Sequence, residues 1–253
     1  MLHQFELQRV INNELQVTRY HDYAPNGLQV QGRSEVKKIV TGVTACQLLL
    51  DKAVELNADA VLVHHGYFWK NEPQTITGIK YHRMKTLLKH DINLYSYHLP
   101  LDGHPVLGNN VLLGQMLDIA VDKREDITDL LFKGTLHNPL TALEFKQKLE
   151  QKLHNGQTSV LFCGDNAPAV INRVAWCSGG GQDFIESAAQ QGVDAFFTGE
   201  VSERTIHIAR EYGINFYAAG HHATERCGIK KLGEWLSEHY ELEIIFVDID
   251  NPA

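Results

Sequence analysis

The chain has 253 residues, 43% hydrophobic and 21% charged, which is long enough for a real core and ordinary for a folded protein. Its net charge of −8 with neutral histidines argues against broad binding to a phosphate backbone, which needs basic surface. No apolar run approaches the roughly 18 residues that span a bilayer, and Met1-Leu2-His3-Gln4-Phe5-Glu6 lacks the basic-then-apolar pattern of a secretory signal.

Four cysteines, Cys46, Cys163, Cys177 and Cys227, form no C-x-x-C pair. Reduced thiols in the cytoplasm are therefore expected, without a zinc-thiolate site. The 14 histidines are the unusual count, and several fall where predicted strands end.

Phe5, Leu7, Val10, Ile11 and Leu15 predict a helix over residues 5–15. Asn26-Gly27 marks a turn before a short extended piece. Tyr20, His21 and Asp22 just before it read equally as ligands or as loop polarity. Residues 38–66 read strand, helix, strand: Ile39 to Val43, then Leu48, Leu49, Ala53 and Leu56 at helical spacing, then Ala60 to Val63. The second strand runs into His64-His65-Gly66. Adjacent side chains in a strand oppose each other. A turn at Gly66 would let both imidazoles face one cleft, and imidazole is the commonest protein metal ligand. Two solvated histidines at a strand end is the plain alternative.

Residues 84–89 read as helix and 92–97 as strand, the latter running into His98-Leu99-Pro100-Leu101-Asp102-Gly103. Residues 108–117 read as helix, 132–136 as strand, 141–153 as an amphipathic helix and 159–162 as strand. Thr141 with Glu144 fits a capping box. Residues 173–201 then lay onto 38–66 at a constant offset of 135, with Gln182, Ala188, Asp194 and Ala195 on Gln47, Ala53, Asp59 and Ala60. His90 to Tyr95 falls on Tyr212 to Tyr217 at an offset of 122. Two successive units in the same order indicate duplication. A helix (Ile229, Leu232, Trp235, Leu236) and a strand at 244–247 close the chain.

The expected class is α/β (α+β): two duplicated α/β halves, 1–104 and 173–253, with mixed sheets facing a shared metal cleft, and a connecting segment, 105–172. Such a cleft would collect His64, His65, Asp102, His221 and Glu225. His221 and Glu225, four apart, suit one face of a helix's first turn, where a carboxylate also meets the positive end of the dipole. Five mixed ligands exceed the need of one tetrahedral ion; a carboxylate bridging two ions about 3.5–4 Å apart would use them all. Each residue alone has an ordinary reading: Asp102 capping a turn, Glu225 a helix, His221 and His222 plain surface. Gly179-Gly180-Gly181-Gln182, between strand and helix, reads as an anion-holding turn or as structure alone.

V-L-V-H-H-G-Y-F-W (61–69), Y-S-Y-H-L-P-L-D (95–102), G-H-H-A-T-E-R (220–226), D-Y-A-P-N-G-L-Q-V (22–30) and T-G-E-V-S-E (198–203) resemble the YbgI branch of the Ngg-one-interacting-factor-three-like proteins. Those are often labelled GTP cyclohydrolase I type 2 homologues. The resemblance implies a toroidal homohexamer and a dinuclear site with ligands His64, His65, Asp102, His221 and Glu225, Glu225 bridging and His98 nearby. Two divalent ions per chain are expected, Zn, Fe, Mn, Ni or Co by ligand type. The function expected is metal-dependent hydrolysis of a small substrate, a nucleotide or heterocycle, with His98 moving a proton. The alternatives are a metal carrier without turnover and a ring-shaped scaffold.

Overall fold

In chain order the elements are β1 (Leu2–His3), α1 (Gln4–Glu14), β2 (Gly27–Val30), β3 (Glu35–Val36), β4 (Lys38–Thr44), α2 (Gln47–Glu55), β5 (Ala60–His65), α3 (Gly78–Lys89), β6 (Asn93–Ser96) and α4 (Leu99–Gly103). Then follow α5 (Asn109–Met116), β7 (Ile119–Val121), β8 (Phe132–Thr141), α6 (Ala142–His154), β9 (Leu161–Cys163), β10 (Val170–Trp176), α7 (Ile185–Gln190), β11 (Ala195–Thr198), α8 (Glu203–Tyr212), β12 (Asn215–Ala218), α9 (His221–His239) and β13 (Glu243–Phe246). The computed structural model describes residues 1–253. They divide into two units, Met1–Leu101 with Gly228–Asp250, and Asp102–Cys227 with Asn251–Ala253. This division follows packing. The division at 104 and 172 follows the sequence repeat, a different criterion.

The first unit holds a sheet in the order β13-β4-β5-β6-β2, parallel except for β2. The second holds β7-β8-β10-β11-β12-β9, in which only the β10–β11 and β11–β12 pairings are parallel. The class is α/β with mixed sheets. No helix is long and apolar enough to cross a membrane.

The duplication is visible in hydrogen bonds inside each unit. Ile39 pairs with Ala60 and Ala60 with Asn93; at the matching offsets Val174 pairs with Ala195 and Ala195 with Asn215. Asp59 Oδ2 accepts from the backbone N–H groups of Lys37 and Lys38, both at 2.9 Å. Asp194 Oδ2 accepts from Asn172 at 2.9 Å and Arg173 at 2.7 Å. The two aspartates therefore recur because each ties the strand it precedes to the strand before it, at the start of β4 for Asp59 and midway along β10 for Asp194. Asp59→Ala is expected to lower stability by about 2–4 kcal/mol, the loss of bonds made to a charged acceptor. Urea unfolding checks it; an unchanged midpoint would refute the role.

Successive residues of the second sheet enter opposite faces. Trp176, Phe197 and Tyr217 pack with Phe145, Leu149 and Leu153 of α6. Ala175, Phe196 and Phe216 pack with Ile185, Ala188 and Ala209 of α7 and α8. A sheet buried on both faces reads as a continuous apolar run, which these strands show. In the first unit Val40, Val61, Val63 and Leu94 meet Leu49, Leu50 and Ala53 of α2 and Leu87 of α3.

Several element boundaries differ from the sequence pattern. The helix expected over 84–89 is α3, starting at Gly78, and only Leu87 of it is buried. With Ile79 70% and Leu88 58% exposed, its apolar residues carry no helical period. Strand β8 continues past residue 136 to Thr141, where the Thr141/Glu144 capping box opens α6 as expected. The strand expected from 159 begins at Leu161.

Candidate metal-binding groups in the two units

In the first unit β5 extends through both histidines. His64 is fully buried and His65 half-buried, yet their rings lie 4.6 Å apart. His98, just beyond β6, lies 5.2 Å from the His64 ring and 5.7 Å from the His65 ring. One ring nitrogen from each of the three falls within 4.8 Å of the others. The strand ends at His65 and the chain bends at Tyr67, with no positive φ at Gly66. A Cβ on Gly66 would come within 2.2 Å of Gln29 Oε1 and 2.6 Å of Ser96 Cβ. Gln29 grips the next residue, accepting from Tyr67 N–H at 2.7 Å and donating to Tyr67 O at 3.0 Å. Crowding, not a positive φ, requires glycine there.

Each imidazole is oriented by a different partner. His64 Nδ1 lies 2.9 Å from the Tyr97 carbonyl oxygen. A carbonyl only accepts, so Nδ1 carries the proton and Nε2 is the lone-pair nitrogen. His65 Nδ1 meets Thr44 Oγ1 at 3.2 Å. His98 Nδ1 meets Asp22 Oδ1 at 2.7 Å. Trp69 stands edge-on to His98, with ring centroids 4.9 Å apart. Burial pushes the Asp22 carboxyl up, but His98, the Asn26 amide and the Leu99 N–H outweigh it and hold the group below its ordinary value.

In the second unit Asp102, His221 and Glu225 are grouped. Asp102 and Glu225 are buried, 4% and 3% exposed, with carboxylate oxygens within 4.8 Å. Asp102 Oδ1 accepts from Asn109 Nδ2 at 2.9 Å and Ser178 Oγ at 2.8 Å. Asn110 ties this network to β10, accepting from Ser178 N–H at 2.8 Å through Oδ1 while its carbonyl accepts from Trp176 Nε1 at 2.9 Å. His221 opens α9 as expected, one turn before Glu225. Its Nε2 lies 3.1 Å from Glu225 Oε2 and its Nδ1 2.7 Å from Glu200 Oε1. Burial alone would push His221 down; the two carboxylates, Glu225 foremost, raise it to about 9. A cation binding at His221 Nε2 must displace that proton.

Gly179 makes room for Glu225. Its φ is +58°, and a Cβ there would lie 2.0 Å from Glu225 Oε1 and 3.0 Å from His221 Nε2. The Gly179 and Gly181 N–H groups donate to Thr224 Oγ1 at 2.9 Å and Thr198 Oγ1 at 3.0 Å. These internal bonds favour the structural reading of the glycine turn over the anion-holding one. Burial, reinforced by Asp102 and Glu225, pushes the Cys177 thiol up.

The donor chemistry of both groups fits divalent transition metals: imidazoles held from behind by a carbonyl, a hydroxyl or a carboxylate, and anchored carboxylates. Sequence reasoning missed the residues behind the donors: Glu200, Asn109, Ser178 and the orienting role of Asp22. One signal was available. The offset of 135 places Glu200 on His65.

Residues 3–252 match the family described as Duf34/NIF3 (NGG1p interacting factor 3). A Yersinia pestis protein named "GTP cyclohydrolase 1 type 2 homolog" is 60% identical over 248 residues, 98% of each chain. A solved structure described as protein ybgI, of unknown function, has a TM-score of 0.96 and 57% identity over 100% of both chains. TTHA1606 from Thermus thermophilus has a TM-score of 0.88 and 30% identity, also over 100% of both.

Proposed function

The chain belongs to the Duf34/NIF3 (NGG1p interacting factor 3) family, and from that premise we propose a metal-dependent hydrolase acting on a small heterocyclic substrate. In this reading His64 and His65 of the first unit and Asp102, His221 and Glu225 of the second would supply the ligands for two divalent ions per chain. A pair of such ions supplies Lewis acidity and lowers the pKa of water. The chain's residues do the rest. His98, backed by Asp22, accepts or returns a proton at Nε2. Asn109 and Ser178 hold Asp102, and the gap at Gly179 admits Glu225. Trp69 packs edge-on beside the His98 ring.

The observation that carries the proposal is the Nδ1 bond of buried His64 to the Tyr97 carbonyl, 2.9 Å. It presets a lone pair on Nε2 inside the protein, the arrangement a metal ligand needs. The heterocyclic substrate class takes its support from the name carried by the Yersinia pestis relative. A toroidal homohexamer belongs to the same proposal, and light scattering on the eluting protein tests it.

Protein purified without chelator is expected to carry two transition-metal ions per chain by elemental analysis. Removing them is expected to lower the melting temperature by about 5–15 °C, since ligand held well above its Kd adds about 2.7–4.1 kcal/mol. A metal-free protein with unchanged melting would end the proposal. The metal-replete chain is then screened for ring-opening hydrolysis of purine nucleotides and related heterocycles. A carrier is the rival reading, favoured by the 29% exposure of the His221 side chain. A carrier loses its ions on dialysis and passes them to an apo acceptor; the hydrolase keeps them.

A further inference from the structure

We propose that Asp22 is a positioning residue that holds His98 in the Nδ1–H tautomer, with Nε2 as the ring's lone-pair atom. The inference rests on the reading that His98 serves the metal-site chemistry, and it assigns the group that makes this histidine competent.

Asp22 lies in the loop before β2, 76 residues from His98, and its side chain is only 4% exposed. A carboxylate so buried persists only where donors surround it. Four do. His98 Nδ1 at 2.7 Å and Tyr23 N at 2.6 Å donate to Oδ1. Asn26 Nδ2 and Leu99 N, both at 2.9 Å, donate to Oδ2. Asn26 closes the grip, its Oδ1 accepting from His98 N at 2.8 Å. Two side chains of one loop thus fix both the backbone and the ring of residue 98.

A turn-forming role would need only the bonds from Tyr23, Asn26 and Leu99. The bond to the ring is additional, and it acts on chemistry. A carboxylate accepts only, so it forces the proton of a neutral imidazole onto Nδ1. The same logic is met independently at His64, where the Tyr97 carbonyl does this work. Two histidines with ring centroids 5.2 Å apart therefore have their tautomers set by unrelated acceptors. That pair provides an internal control.

The test is nitrogen NMR on full-length, chelator-treated protein with labelled histidines. His64→Gln and His98→Gln assign the two signals by their disappearance. In the parent protein both rings are expected to show a protonated Nδ1 and an unprotonated Nε2. In Asp22→Ala the His98 nitrogens are expected to shift toward averaged values as both tautomers populate, while His64 keeps its pattern. Three results would overturn the proposal: His98 protonated on Nε2 in the parent, His98 unchanged in Asp22→Ala, or His64 shifting together with His98. The last would make Asp22 a structural residue. The sample contains no metal, so a failure of the two-ion reading leaves this result standing, and the reverse also holds.

Discussion

Glu225→Ala is expected to leave the purified protein with at most one ion per chain and to weaken metal binding by at least about 100-fold, the upper range seen when even an outer partner of a ligand is lost. Glu225 is 3% exposed, within 4.8 Å of Asp102 and 3.1 Å from His221 Nε2. Two buried carboxylates so close repel each other unless positive charge stands between them. Protonated His221 supplies some of that charge, and divalent ions would supply more. Elemental analysis and a competition titration against a chromophoric chelator read the effect. Full occupancy in Glu225→Ala would remove this residue from the centre and leave the shared-carboxylate arrangement without support.

Gly179→Ala is expected to lower metal affinity about 10–100-fold without touching a ligand. Two effects combine. A non-glycine residue at φ +58° costs about 1–2 kcal/mol. The added Cβ would also sit 2.0 Å from Glu225 Oε1, so the carboxylate must leave its place. Gly179 itself cannot withdraw easily, because its N–H donates to Thr224 Oγ1 and its carbonyl accepts from Gly199 N–H and Thr198 Oγ1. Gly180→Ala is the control. A methyl group at that position would stand 3.7 Å or more from its nearest neighbours, and the Gly180 φ is not positive. Isothermal titration on both variants separates the readings: equal losses would point to general weakening of the glycine turn, and a loss confined to Gly179→Ala to displacement of Glu225.

Much of this molecule was legible along the chain. The β4-α2-β5 pattern follows from apolar runs and turns. The recurrence of Asp59 as Asp194 and of Asn93 as Asn215 foretold a shared register, since each aspartate ties its strand to the preceding one. Thr141 and Glu144 announced the start of α6 because a capping box is complete within four residues. The candidate donors stood out because histidines and acids at strand ends are few and their types are chemically specific.

What the chain could not reveal was the support behind those donors. Asp22 reaches His98, and Ser178 reaches Asp102, across 76 residues in each case. Gly179 matters through Glu225, not through any neighbour in sequence. Local pattern reports periodic burial and short-range bonds, so α3, with its apolar side chains left exposed, went half unread. The amino-acid order by itself determined which groups could bind or carry a proton. Folding decided which partner each imidazole nitrogen meets and which carboxylate oxygen is anchored, because those depend on contacts that form only when distant segments pack.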